Sequence, residues 1–100
     1  MLRNVFNSNL FRVTDYAKEF TVKNPMGIHA RPAGEIVKKA SSFPCKITFV
    51  KGEKNVNAKS IVGVLALGLH SGDTVTVVTE GEKEEEALNE IGSLIESILE

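Results

Sequence analysis

The chain contains two histidines, and one of them, His29, stands in the run Gly27-Ile28-His29-Ala30-Arg31-Pro32-Ala33 (GIHARPA). A neutral imidazole is a nucleophile, and a guanidinium two residues further on suits the oxygens of a phosphate. Pro32 indicates what the backbone does here. Proline is tolerated in the first turn of a helix, because its missing N–H removes a donor that would have had no partner within the helix. His29 is therefore expected at the N-cap or beside it, with free backbone amides pointing toward its ring. The positive end of the helix macrodipole, about half an elementary charge, and the Arg31 cation both weigh against a further positive charge on the imidazole. An anion attached to that ring would meet amide donors and a guanidinium. The spacing describes a histidine prepared to carry a phosphoryl group. A capping or surface histidine followed by an incidental arginine accounts for the same seven residues, since short motifs recur by chance.

The other reactive side chains offer less. His70 falls in a turn after the expected second helix, and no His, Cys and carboxylate share the spacing of metal ligands, so neither a metal nor a cofactor is expected. Cys45 is the single cysteine and opens an apolar run; it cannot form an internal disulfide and should pack as a small hydrophobe, consistent with a reducing compartment. A hydrolase triad would need a nucleophile and a carboxylate converging on His29, and no signature for one is present. A small enzyme using His29 as general acid or base would need a concave pocket, which a domain of this plan does not provide.

One hundred residues with 42% hydrophobic and 25% charged content make one small globular domain with a single core, so any site lies on its surface. A formal net charge of -1 and scattered Lys and Arg exclude the basic footprint of a nucleic-acid binder. No apolar run reaches the length of a signal segment or a membrane span, which leads us to expect a cytoplasmic protein with no membrane insertion.

The elements that must position His29 follow from periodicity. Glu19 to Lys23 alternates and is closed by Asn24-Pro25, giving a first strand. Ala33, Ile36, Val37 and Ala40 share one helical face until Pro44 stops the helix. Cys45 to Val50 and the weaker Lys54 to Asn57 make a hairpin around Lys51-Gly52-Glu53, the second strand at an edge. Ile61 to Leu67, between Ser60 and Gly68, suits a short helix with a serine N-cap and a glycine stop, with a strand as the rival assignment. Asp73 to Thr79 is the clearest strand and should be central. After Gly81, acidic Glu82, Glu84, Glu85 and Glu86 precede a helix whose apolar face carries Leu88, Ile91, Leu94, Ile95 and Ile98. The order βαββαβα predicts an α+β open-faced sandwich: a mainly antiparallel four-stranded sheet with three helices on one face and the other face open. Residues 1–16 stand outside a domain spanning 17–100. Their apolar residues, without clean periodicity, are expected to lie against the open sheet face or an edge strand.

The short helix is nearly all apolar, so Ile61, Val62 and Leu65 are candidates for an exposed docking patch beside His29. Burial in the core is the alternative for all three and suits Leu65 better. Ser60 is by default a cap worth about 1 kcal/mol. A phosphate on it would add about -1.5 to -2 charge at the patch while suiting the helix dipole.

The segments GIHARPA and Lys59 to Gly68 (KSIVGVLALG), at their separation in the chain and over about Ala17 to Glu100, resemble the phosphocarrier protein HPr family of the phosphoenolpyruvate-dependent sugar phosphotransferase system. The resemblance implies that His29 accepts phosphate on Nδ1 from phosphorylated enzyme I and passes it to sugar-specific EIIA domains, with Arg31 stabilising the phosphate. It implies that Ser60 is a regulatory serine, phosphorylated by an ATP-dependent HPr kinase/phosphorylase, which makes the carrier a co-repressor for a catabolite-control transcription factor. A paralogous group acts mainly through that serine and lacks the histidine; the presence of both residues fits the carrier. Three departures stand out. Met26 replaces a small polar residue usual in the active-site loop, Val62 replaces a methionine common in the docking helix, and residues 1–16 have no usual counterpart.

Overall fold

The computed structural model describes residues 15–99, with seven elements. They are β1 (Asp15–Thr21), α1 (Ala30–Ser41), β2 (Lys46–Lys51), β3 (Lys54–Asn57), α2 (Ile61–Ala66), β4 (Thr74–Glu80) and α3 (Glu84–Ser97). The strands form one sheet in the order β1-β4-β2-β3, every neighbouring pair antiparallel. The fold is the α+β open sandwich that the periodicity predicts, with the Asp73–Thr79 stretch forming a central strand and Lys54–Asn57 an edge.

Alternation decides which side of the sheet is covered. Along β4, Val75, Val77 and Thr79 are buried, while Thr74, Thr76, Val78 and Glu80 take the opposite face and stay exposed or half-buried. Phe49 of β2 pairs with Val77, and Phe20 of β1 with Val75, so one apolar face crosses three strands. Ile36 and Ala40 of α1, Val64 of α2 and Leu88, Ile91 and Ile95 of α3 join those residues in a single core. Full burial of each large side chain contributes about 1.5–3 kcal/mol. At Gly92 an added Cβ would fall 2.0 Å from the Phe20 ring, which makes this glycine the condition for α3 to lie close on β1.

Element boundaries move where tertiary pairing overrides local pattern. The first strand begins at Asp15 instead of Glu19, because its ladder with β4 runs from Asp15↔Glu80 to Thr21↔Thr74. Val22 leaves that ladder, and its amide bonds the Asp73 carbonyl at 2.8 Å. α1 begins three residues before the first apolar helical position, since Ala30 and Arg31 face solvent. The rival strand assignment for Ile61–Leu67 is resolved in favour of a helix, with Leu67 as its C-cap. Of residues 1–16, Tyr16 is half-buried in β1; residues 1–14, and with them the expectation about the apolar extension, lie outside the described residues.

Candidate functional site

The site begins in the loop between β1 and α1. Asn24 is fully buried: its Nδ2 donates to the Gly27 carbonyl at 2.7 Å, and the Gly27 amide donates back to the Asn24 carbonyl at 2.8 Å. This closes a tight turn with Gly27 at φ +72°, a conformation that glycine adopts without the cost a Cβ would bring. A Cβ there would also lie 2.6 Å from the Leu69 carbonyl oxygen. The next amide, Ile28 N–H, donates to that same oxygen at 2.9 Å, and the Ile28 side chain is buried. The loop is thus pinned immediately before its histidine.

His29 is the N-cap of α1, in extended backbone, as the placement of Pro32 predicts. Its side chain is exposed and makes no capping hydrogen bond to the helix. The first intrahelical bond runs from the Ala33 amide to the His29 carbonyl at 2.9 Å. The amides of the turn before it, Ala30 among them, have no carbonyl within the helix to bond, and Pro32 brings no amide at all. Arg31 is exposed at the second helical position. Exposed imidazole, helix start and exposed cation occupy three consecutive residues. Chemically this can hold an anion at the ring without burying charge.

Ser60 is the N-cap of α2: its Oγ accepts from the Gly63 amide at 3.1 Å. Gly63 lets the helix approach β3, since a Cβ there would meet Val56 Cβ at 3.2 Å. Lys59 is held by its Nζ on the Phe43 carbonyl at 2.7 Å. Ile61, Val62 and Leu65 are 39%, 74% and 41% exposed. The expectation that Leu65 packs in the core is therefore corrected. A six-residue helix turns only one stripe inward, and Val64 and Leu67 occupy it. Met26, in the loop before His29, is 72% exposed. Among the described residues the exposed large apolar side chains are these four and Leu99. Four of the five thus lie on the two segments that meet at Leu69.

Cys45 is buried, and burial pushes its thiol pKa up, as suits a side chain that packs as a small hydrophobe. His70 is exposed, with Nδ1 3.6 Å from Asp73 Oδ2. Among the described residues no group of three His, Cys, Asp or Glu is placed to hold a metal ion, and no helix is long and apolar enough to cross a membrane. Sequence reasoning did not find Asn24 and Leu69 as parts of the site. The Asn-Pro-x-Gly turn pattern could have marked the first. No local signal marks the second, whose role lies in a contact with a distant segment.

A family model described as the PTS HPr component phosphorylation site matches residues 16–97. The chain is 44% identical over 78 residues to a phosphocarrier protein HPr of Lysinibacillus sphaericus, covering 78% of this chain and 89% of that protein. It is 43% identical over 79 residues to an HPr-like protein Crh of Halalkalibacterium halodurans, covering 79% and 94%. Among solved structures, a phosphocarrier protein HPr from Bacillus anthracis superimposes with a TM-score of 0.80 at 36% identity, covering 82% of this chain and 98% of that one.

Proposed function

This chain belongs to the HPr family, the phosphocarriers of the sugar phosphotransferase system, and from that premise we propose that His29 is its phosphoryl acceptor. Phosphorylated enzyme I docks, the unprotonated Nδ1 of His29 attacks phosphorus, the new N–P bond forms as the donor's bond to phosphorus breaks, and the phosphoryl group then leaves His29 for an EIIA domain. The observation that carries this reading is the placement of His29 as an exposed N-cap whose ring makes no capping hydrogen bond to the helix amides. The ring stands at the start of the helix, where the first-turn amides and Arg31 are disposed to receive phosphate oxygens. Transfer on and off the ring makes the protein a carrier in the cytoplasm, with no turnover chemistry of its own.

Met26, Ile61, Val62 and Leu65 supply the apolar part of the docking surface. Ser60 is its regulatory point. A kinase that esterifies Oγ leaves the amide of Gly63 facing a stronger acceptor and adds about -1.5 to -2 charge to the rim. HPr kinase/phosphorylase and a catabolite-control transcription factor are the partners this modification would serve.

Incubation with phosphoenolpyruvate and enzyme I tests the proposal. The parent should gain acid-labile phosphate and His29→Ala none, with its melting curve preserved because the side chain is outside the core. Arg31→Ala should slow labelling about tenfold to a hundredfold, the equivalent of about 1.5–3 kcal/mol for a hydrogen bond to a charged group. A regulatory relative working mainly through Ser60 would take up only acid-stable phosphate from ATP and its kinase. Acid-labile label persisting in His29→Ala would place the acceptor elsewhere.

A further inference from the structure

Leu69 belongs to neither α2 nor β4, yet its carbonyl oxygen is the point on which both Gly27 and Ile28 rest. What holds that oxygen in place is visible in the two peptide groups on either side of Leu69. The His70 amide donates to Asp73 Oδ2 at 2.8 Å. A peptide group is planar, so the His70 N–H and the Leu69 C=O move as one rigid unit, and a carboxylate that fixes the first aims the second. The preceding peptide group is held as well: the Gly68 carbonyl accepts from Lys51 Nζ at 3.2 Å. Lys51 Nζ also lies 3.0 Å from the same Asp73 Oδ2. One carboxylate oxygen and one ammonium thus clamp both planes flanking Leu69. The His70 amide first, and Lys51 second, hold the Asp73 carboxyl below its ordinary pKa, so it is ionised at neutral pH.

We propose that Asp73, together with Lys51, is a positioning residue for the phosphoryl acceptor, acting on His29 through the Leu69 carbonyl and the Ile28 amide. The inference rests on the assignment of His29 as acceptor and adds residues that touch neither phosphate nor partner. An ion pair at the surface, with both side chains half-buried as here, contributes little to global stability. Its effect here is orientational, because displacement of a reacting group by about 1 Å is enough to cost about a hundredfold in rate. The backbone bonds from Val22 N to the Asp73 carbonyl, 2.8 Å, and from Gly72 N to the Val22 carbonyl, 2.9 Å, do not involve the carboxylate, so its removal loosens the joint without releasing the loop.

The test compares Asp73→Ala, Asp73→Asn and Lys51→Met in the full chain. Two quantities are read: hydrogen exchange at the Ile28 amide in the unphosphorylated protein, and the rate of labelling by phosphoenolpyruvate and enzyme I. Asp73→Ala should speed Ile28 exchange several-fold relative to amides of β4 and lower maximal labelling about tenfold, with little change in the carrier concentration at half-maximal rate. Lys51→Met should move both readouts in the same direction and less. Asp73→Asn keeps an acceptor for the His70 amide and should recover most of both. A purely structural role would move the melting temperature and leave Ile28 exchange in step with β4. The proposal is overturned by unchanged Ile28 exchange in Asp73→Ala, by faster exchange with an unaltered labelling rate, or by an Asn variant as impaired as the Ala variant, which would assign the effect to partner attraction. If the parent takes up no phosphate, the functional assignment fails, and Ile28 exchange still decides whether the clamp exists.

Discussion

Gly27→Ala is the sharpest perturbation of the site, because the structure gives its cost in three parts. At φ +72° an L-residue sits in the left-handed region, which costs about 1–2 kcal/mol. The new Cβ would fall 2.6 Å from Leu69 O and 3.1 Å from His70 Cα, both backbone atoms that cannot rotate away. Ordinary contact begins at 3.4 Å, so the loop must retreat about 0.8 Å. That retreat stretches the 2.9 Å bond from Ile28 N to Leu69 O past hydrogen-bonding range, a loss of about 0.5–1.5 kcal/mol. A stiffer unfolded chain returns about 0.4–1 kcal/mol. The net is about 0.5–3 kcal/mol, or a melting temperature lower by about 2–24 °C for a domain of this size. The rate should suffer more than the stability, because His29 follows in the chain and moves with the loop. Labelling by phosphoenolpyruvate and enzyme I, measured well below the variant's melting temperature, should fall by about a hundredfold. A variant that melts within about 2 °C of the parent and labels at the parental rate would refute the account of this joint.

Gly92→Ala sets a Cβ against the Phe20 ring and should cost about 1–3 kcal/mol by overpacking, while the folded fraction keeps the parental labelling rate; a loss of rate at full folding would mean that core strain reaches His29. Ser60→Asp keeps a capping oxygen for the Gly63 amide, so the melting temperature should stay near the parent's while labelling slows at low salt and recovers at high salt; equal rates at low salt would exclude an electrostatic role. Val62→Ala, at a side chain 74% exposed, should raise the carrier concentration needed for half-maximal labelling a few-fold with no change in melting, and an unchanged value would remove Val62 from the docking surface. Because the folded Asp73 carboxyl titrates below its ordinary range, its contribution is present above the unfolded carboxylate pKa of about 4 and is lost as pH falls through the lower folded value; the Asp73 carboxyl carbon resonance should show its protonation step below about pH 4, and a step at or above that pH would contradict this.

The order of elements was legible because alternation in β2 and β4 and a helical period in α1 and α3 each outrun their rivals over six or more residues. Proline chemistry was enough to place His29 at a helix start, and serine chemistry placed Ser60 at another. What remained hidden was tertiary in origin. The start of β1 depends on how far β4 can pair with it, and Asp15 to Lys18 carries no strand signal of its own. Leu65 looked like core because composition cannot say which stripe of so short a helix turns inward. Asn24 looked like simple turn chemistry, and only its burial shows that it shapes the loop of His29. Lys51 comes from a stretch remote from the loop that holds Leu69 and Asp73, and nothing local in either announces that they meet.

The pairing of β1 with β4 also governs when the molecule becomes competent. Strands that pair from distant segments make a fold of high contact order, whose long loop must close before the sheet is rewarded for closing. On a ribosome His29 emerges before the residues that hold its loop. Leu69 and Asp73, which orient its loop, follow some forty residues later, and β4, which joins the two halves of the sheet, later still. If His29 is the acceptor, as proposed, a nascent chain that has exposed its histidine offers no formed site until β4 has been inserted between β1 and β2.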